Sequence, residues 1–198
     1  MLIFDGDYPM ALAVAYNRDL TRPISEVRSA PPVAGTQRAG NDSQTMASLP
    51  EMRRGRVAAA LVKVVVDQHR LGAIMSGGPR SDELAYARGM GQMAYYRILE
   101  ARNEARVLST SAAVKSHFAQ WERARDTSKL PVGFVLGMEG SDPILFPEQT
   151  QEWYGLGLRV ISIGHYGPAR YGGGTGTGVG EGLYEGGPGL LREMDRLG

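Results

Sequence analysis

The stretch Val132-Gly-Phe-Val-Leu-Gly-Met-Glu-Gly140 decides the fold. It is an apolar run of strand length, bounded by Pro131 and Gly140, and such a run reads as a strand buried on both faces. Its carboxyl end carries one carboxylate, Glu139. The pattern recurs twice. Leu158-Arg-Val-Ile-Ser-Ile163 is a second apolar run and leads to His165, and Leu2-Ile-Phe4 is a third that leads to Asp5 and Asp7. Parallel α/β folds place their chemistry at the carboxyl ends of strands. Three buried strand ends bearing acid or imidazole groups point to an enzyme.

Working outward, Val57 to Val66 is dense in β-branched residues and predicts another strand, and Arg106 to Ser109 a short one. Ser81-Asp-Glu-Leu opens a helix with an N-cap candidate and early acids. It runs to about Asn103, with Leu84, Met90, Met93, Ala94 and Leu99 among its apolar positions. Ser111 to Arg123 places Val114, Phe118 and Trp121 at helical spacing. Shorter helices are predicted over 10–16, 49–55, 148–154 and 188–197. Thr21 to Ser48, with Pro23, Pro31, Pro32, Gly35 and Gly40, reads as a long irregular excursion.

Strands alternating with helices argue for a parallel sheet with crossover helices. About five strands are legible, where a closed barrel of this type needs about eight. The chain therefore reads as a barrel incomplete at its carboxyl end. A doubly wound open sheet is the alternative that needs no missing residues.

Composition narrows the function. The 198 residues are 42% hydrophobic and 22% charged, ordinary values for a globular chain. A formal charge of +1 gives no electrostatic case for a nucleic-acid partner. There is no Cys, so disulfides and thiolate metal sites are excluded. Any metal must be held by carboxylates and by His69, His117 or His165. No signal peptide is visible at the amino terminus and no apolar run is long enough to cross a bilayer, so a cytoplasmic protein is the expectation.

Each chemical candidate has a plainer reading beside it. Glu139 is either a catalytic or metal-binding carboxylate or one that caps a nearby helix or pairs with an Arg, and Gly140 after it allows a sharp turn and close approach of a ligand. In Gly164-His-Tyr-Gly-Pro168, His165 suits polarising a carbonyl or stabilising an oxyanion; a loop imidazole bonded to backbone fits equally well. Asp5 and Asp7, two residues apart, point the same way if the strand continues, which suits a divalent ion, yet an Asp-Gly-Asp turn without function is as common. His69 and His117 read as ordinary surface or helix-end histidines. Gly172-Gly-Gly-Thr-Gly-Thr-Gly-Val-Gly180 lacks the P-loop Lys and the dinucleotide glycine spacing, which counts against a nucleotide-binding domain. It reads as an active-site loop or a linker.

Taken together, several pieces resemble the membrane (renal) dipeptidases and their bacterial relatives. They are Phe4-Asp-Gly6, Asn17-Arg-Asp-Leu20, Ser48-Leu-Pro-Glu-Met-Arg-Arg-Gly55, Gly137-Met-Glu-Gly140, Tyr154-Gly-Leu-Gly-Leu-Arg-Val-Ile-Ser-Ile-Gly-His165, Gly174-Thr-Gly176 and Leu190-Leu-Arg-Glu-Met-Asp-Arg-Leu-Gly198. The resemblance implies the amino-terminal part of a (β/α)8 TIM-type barrel of the metallo-dependent hydrolase kind, carrying two zinc ions and hydrolysing dipeptides through a metal-bridged hydroxide. Glu139 matches the catalytic carboxylate that bridges the metals, and His165 the substrate-binding histidine near the scissile carbonyl. Asp7 matches a metal-binding aspartate. Family members often pair as homodimers.

Two departures stand out. The family's first strand ends in Asp-x-His-x-Asp, whereas Phe4-Asp-Gly-Asp-Tyr-Pro9 has no His. Two further histidines, an Asp and an Arg of the family site would fall beyond Gly198. Asp7 and Glu139 alone do not hold a metal pair, so this chain is expected to be an inactive amino-terminal portion. A degenerate barrel that binds a peptide or amino acid without hydrolysis is the competing expectation.

Overall fold

The computed structural model describes residues 1–15, 17–30, 45–66, 81–177 and 182–198. Among them are five strands: β1 (Ile3–Tyr8), β2 (Val57–Val65), β3 (Ala105–Val107), β4 (Val132–Glu139) and β5 (Leu158–Ser162). The helices are α1 (Leu12–Ala15), α2 (Ile24–Ser29), α3 (Leu49–Arg54), α4 (Asp82–Ala101), α5 (Ser111–Arg123), α6 (Thr150–Gly155) and α7 (Gly187–Leu197). The strand order is β1-β2-β4-β3, and β5 pairs with β4. The β1/β2, β3/β4 and β4/β5 ladders are all parallel. The chain is thus an α/β protein with a parallel sheet, as the alternation of strands and helices requires. Residue contacts divide it into two compact units, Met1–Val62 with Ala94–Val135 and Lys63–Met93 with Leu136–Gly198.

In the first unit, the apolar start of the chain is less buried than its sequence implies. Ile3 is 41% and Phe4 48% exposed. The reason is position: β1 ends the strand order, has β2 as its neighbour, and its ladder is irregular between Asp5 and Tyr8. An edge strand is flanked by another strand on one side only, so its side chains lose the contacts that a second neighbour would supply. Within the stretch expected to be irregular, Ile24–Ser29 forms helix α2, which buries Val27. The Leu-Pro-Glu-Met-Arg-Arg segment forms α3 with Pro near its start and Gly55 closing it. Its Arg53 is buried and donates to the Leu130 and Glu104 carbonyls and to the Glu104 carboxylate. That motif is therefore a structural staple. Helix α5 is capped by Thr110, whose side chain accepts from the Ala113 amide. It buries Trp121 and His117, so His117 belongs to the core and not to the surface.

In the second unit, Ser81 Oγ accepts from the Leu84 amide and opens α4 as predicted. The helix buries Ala85, Gly89, Gln92 and Met93 here, while Leu84 and Ala94 face outward. Gly89 is required by packing, because a Cβ there would lie 2.9 Å from both Pro143 and Trp153. The Gln92 amide closes a two-bond ring with the Val65 backbone, donating to its carbonyl and accepting from its N–H. Asp142, almost fully buried, accepts from the Arg170 amide at 2.7 Å, and the Arg170 guanidinium grips Asp82 through both terminal nitrogens. These bonds fix the turn after β4, the segment after β5 and the start of α4 in one arrangement. No helix of the described residues is long and apolar enough to cross a membrane.

Candidate active site

The second unit brings three side chains together at the strand ends. Glu139 is the last residue of β4 and is paired in register with Ser162 at the end of β5. Gly140 follows with φ 80°, the left-handed region that glycine enters without steric cost. The turn is then anchored to the exit of β5. The Gly140 amide donates to the Ser162 carbonyl, and the Ser141 amide and hydroxyl both donate to the Ile163 carbonyl. Glu139 consequently has little freedom, and its side chain is only 12% exposed.

Its two oxygens have different partners. Oε1 lies 3.2 Å from His165 Nε2, and Oε2 lies 3.1 Å from the ammonium of Lys63 on β2. Lys63 is as enclosed as Glu139, at 13%, while the His165 side chain is 35% exposed. Tyr166 packs edge-to-face on the imidazole, with centroids 4.4 Å apart. A carboxylate held between an ammonium and an imidazole keeps both oriented. Because Nε2 faces Glu139, the other ring nitrogen of His165 donates to a carbonyl or an oxyanion only when the ring is the imidazolium, and accepts when it is neutral.

The glycine-rich segment explains how His165 is held. The Thr175 amide donates to the His165 carbonyl at 2.6 Å, and the Gly167 amide donates back to the Thr175 carbonyl at 2.7 Å. A Cβ on Gly174 would lie 2.4 Å from the His165 carbonyl oxygen, and one on Gly164 2.8 Å from the Gly173 oxygen. The described part of this segment, 172–177, is therefore a backbone brace for the His165 loop. Residues 178–180 lie outside the described residues.

Of the residues singled out in the sequence, Glu139 and His165 come together. Asp5 and Asp7 lie in the first unit, where the Asp7 amide donates to Asp5 Oδ1 and closes a local turn. β1 does continue past them to Tyr8, but Asp7 is exposed. His69 lies outside the described residues. Lys63 is the member that sequence reasoning missed. The available signal was a single cation inside the run Val-Ala-Ala-Ala-Leu-Val-Lys-Val-Val: a charge in a buried strand is kept only with a partner.

This cluster does not fit a metal pair. Zinc takes about three or four protein ligands, and the cluster offers one carboxylate and one imidazole, with both carboxylate oxygens already engaged. Among the described residues no group of three or more His, Asp or Glu is placed to hold a metal ion.

No protein-family model and no curated protein matches the chain. Solved structures do. Dipeptidase AC, a metallopeptidase, superimposes with a TM-score of 0.67 at 22% identity, over 100% of this chain and 54% of its own. The probable dipeptidase PvdM from Pseudomonas aeruginosa gives 0.67 at 13% identity, over 100% of this chain and 45% of its own. An amidohydrolase from the same organism gives 0.55 at 17% identity, over 76% and 39%. At these identities the likeness is one of fold. The chain shares the fold of two dipeptidases and an amidohydrolase, and it spans about half the length of the two dipeptidases.

Proposed function

We propose that these 198 residues form the amino-terminal part of a dipeptidase-type (β/α)8 hydrolase that acts on the peptide bond of dipeptides. The observation behind this reading is the 3.2 Å contact between His165 and Glu139 at neighbouring strand ends, in a fold shared with dipeptidases. In this reading His165, as the imidazolium, donates to the substrate carbonyl, and Glu139 orients the ring. The zinc dependence, the metal-binding role of Asp7 and pairing into dimers rest on family resemblance alone, and no step is drawn through a metal. The experiment is hydrolysis of an Ala-D-Ala-type dipeptide with added zinc. The 198-residue chain is expected to show no turnover. A protein continued past Gly198 to the length of its structural neighbours is expected to turn over the dipeptide and to lose activity on Glu139→Gln. Absence of turnover in that longer protein overturns the dipeptidase reading.

One observation favours the second reading, a barrel that binds a peptide or amino acid without cleaving it. The Lys63 ammonium already neutralises the carboxylate that a hydrolytic metal would need. Stoichiometric dipeptide binding without turnover by the longer protein would establish it.

A further inference from the structure

Lys63 has no counterpart among the residues that the family resemblance supplies, yet it makes the closest charged contact of the cluster. Its ammonium is 3.1 Å from Glu139 Oε2, and both side chains are nearly enclosed. The position is imposed by the strand: Val62, Val64 and Val65 around it are buried, so β2 cannot slip to release it without exposing them. The other oxygen of Glu139 faces His165. A zinc ion on Glu139 would take an oxygen at about 2.0–2.2 Å. An ammonium bonded to the same carboxylate would then lie within a few ångströms of the divalent ion, with little water between them to screen the repulsion.

We propose that in the 198-residue chain Lys63 is the resident cation of this site, standing where the chemistry of the metallopeptidase neighbour would call for a metal, and that it excludes divalent metal from Glu139 there. The proposal rests on the dipeptidase-type reading of the fold, because only that reading makes metal the expected occupant. It gives the site a definite chemistry. The cluster presents a carboxylate paired with an internal counter-charge, and an imidazole, to a ligand that brings no metal.

The test uses zinc chloride alone, titrated calorimetrically into the 198-residue chain near neutral pH, with thermal melts run in parallel. In the wild-type chain, Glu139→Gln is expected to leave the zinc affinity unchanged within about twofold, because Glu139 takes no part. Lys63→Met is expected to bind zinc at least about tenfold more tightly, and the gain is expected to vanish in Lys63→Met/Glu139→Gln. Lys63→Arg, which keeps the ammonium's charge, is expected to behave as wild type, and it serves as the folded control if Lys63→Met unfolds. Two results overturn the proposal: wild-type zinc binding that weakens tenfold or more on Glu139→Gln, or, in folded variants, a Lys63→Met chain that binds no tighter than wild type. If Lys63→Met is unfolded, the comparison passes to Lys63→Gln on the same criterion. These results leave the dipeptidase reading standing or falling on the turnover assay, so the two failures are distinct.

Discussion

His117 Nε2 lies 2.8 Å from the carbonyl oxygen of Ala58, and the ring that makes this bond has no solvent exposure. A carbonyl only accepts, so Nε2 carries the proton and Nδ1 is left as a buried acceptor without a partner among the described residues. Burial holds the imidazole below its usual pKa, against the opposing pull of the Ala58 carbonyl.

The consequence is a loss of stability in mild acid. The unfolded chain takes up a proton on His117 as the pH falls through about 6.5, while the folded chain resists until its lower pKa is reached. Stability is therefore full above about pH 6.5 and declines below it. Urea melts between pH 7.5 and 5.5 are expected to show this decline. In His117→Asn, a less stable protein overall, the part of the slope due to this group is expected to disappear. An unchanged slope in that variant contradicts the assignment.

The same ring sets a packing limit on β4. A Cβ at Gly133 would lie 2.6 Å from Leu108 Cδ1, 2.8 Å from His117 Nε2 and 3.0 Å from Ala59 Cβ. Overpacking of this kind costs about 1–3 kcal/mol. Gly133→Ala is expected to fall in that range by chemical denaturation. Gly6→Ala, where a Cβ meets nothing within 4 Å, is expected to change stability by less than about 0.5 kcal/mol.

Much of this architecture is legible in the sequence because its signals are local. The runs ending at Glu139 and near His165, the Ser81 cap of α4 and the extent of α5 all appear where periodicity and capping place them. What fails is what depends on partners far along the chain. Ile3 and Phe4 look like core residues but lie on an edge strand, and His117 looks like a surface residue but fills space that Gly133 leaves open. Lys63 and Glu139 are 76 positions apart, so nothing near either residue announces the pair. The glycines of 172–177 read as a loop or linker because close backbone approach leaves no side-chain pattern.

Arg170 links two carboxylates, one through its backbone and one through its side chain. Its amide donates to Asp142, and its guanidinium engages Asp82 through both terminal nitrogens. A lysine keeps the charge but not the fork. Arg170→Lys is expected to cost about 1 kcal/mol, discounted because Asp82 is half exposed, and hence about 2–4 °C in melting temperature for a chain of this size. A melting temperature equal to wild type would mean that the two-nitrogen grip adds nothing to stability.

The His165–Glu139 contact depends on a backbone that touches neither side chain. A Cβ on Gly174 would lie 2.4 Å from the His165 carbonyl oxygen and 2.7 Å from its carbonyl carbon and amide nitrogen. All three are main-chain atoms, so no side-chain rotation relieves the clash and the His165 loop has to move. Gly174→Ala is therefore expected to break the bond from the Thr175 amide and to separate His165 from Glu139. Imidazole nitrogen–proton NMR spectra provide the readout, with Glu139→Gln marking the signal of His165 deprived of its carboxylate. Gly174→Ala is expected to shift the His165 signal in the same direction. Gly176→Ala supplies the control. Its φ of 88° makes alanine cost about 1–2 kcal/mol through the backbone, but its Cβ meets nothing within 4 Å. It is expected to lower stability while leaving the His165 signal in place. A wild-type His165 spectrum in Gly174→Ala would show that the glycine-rich segment does not position the imidazole.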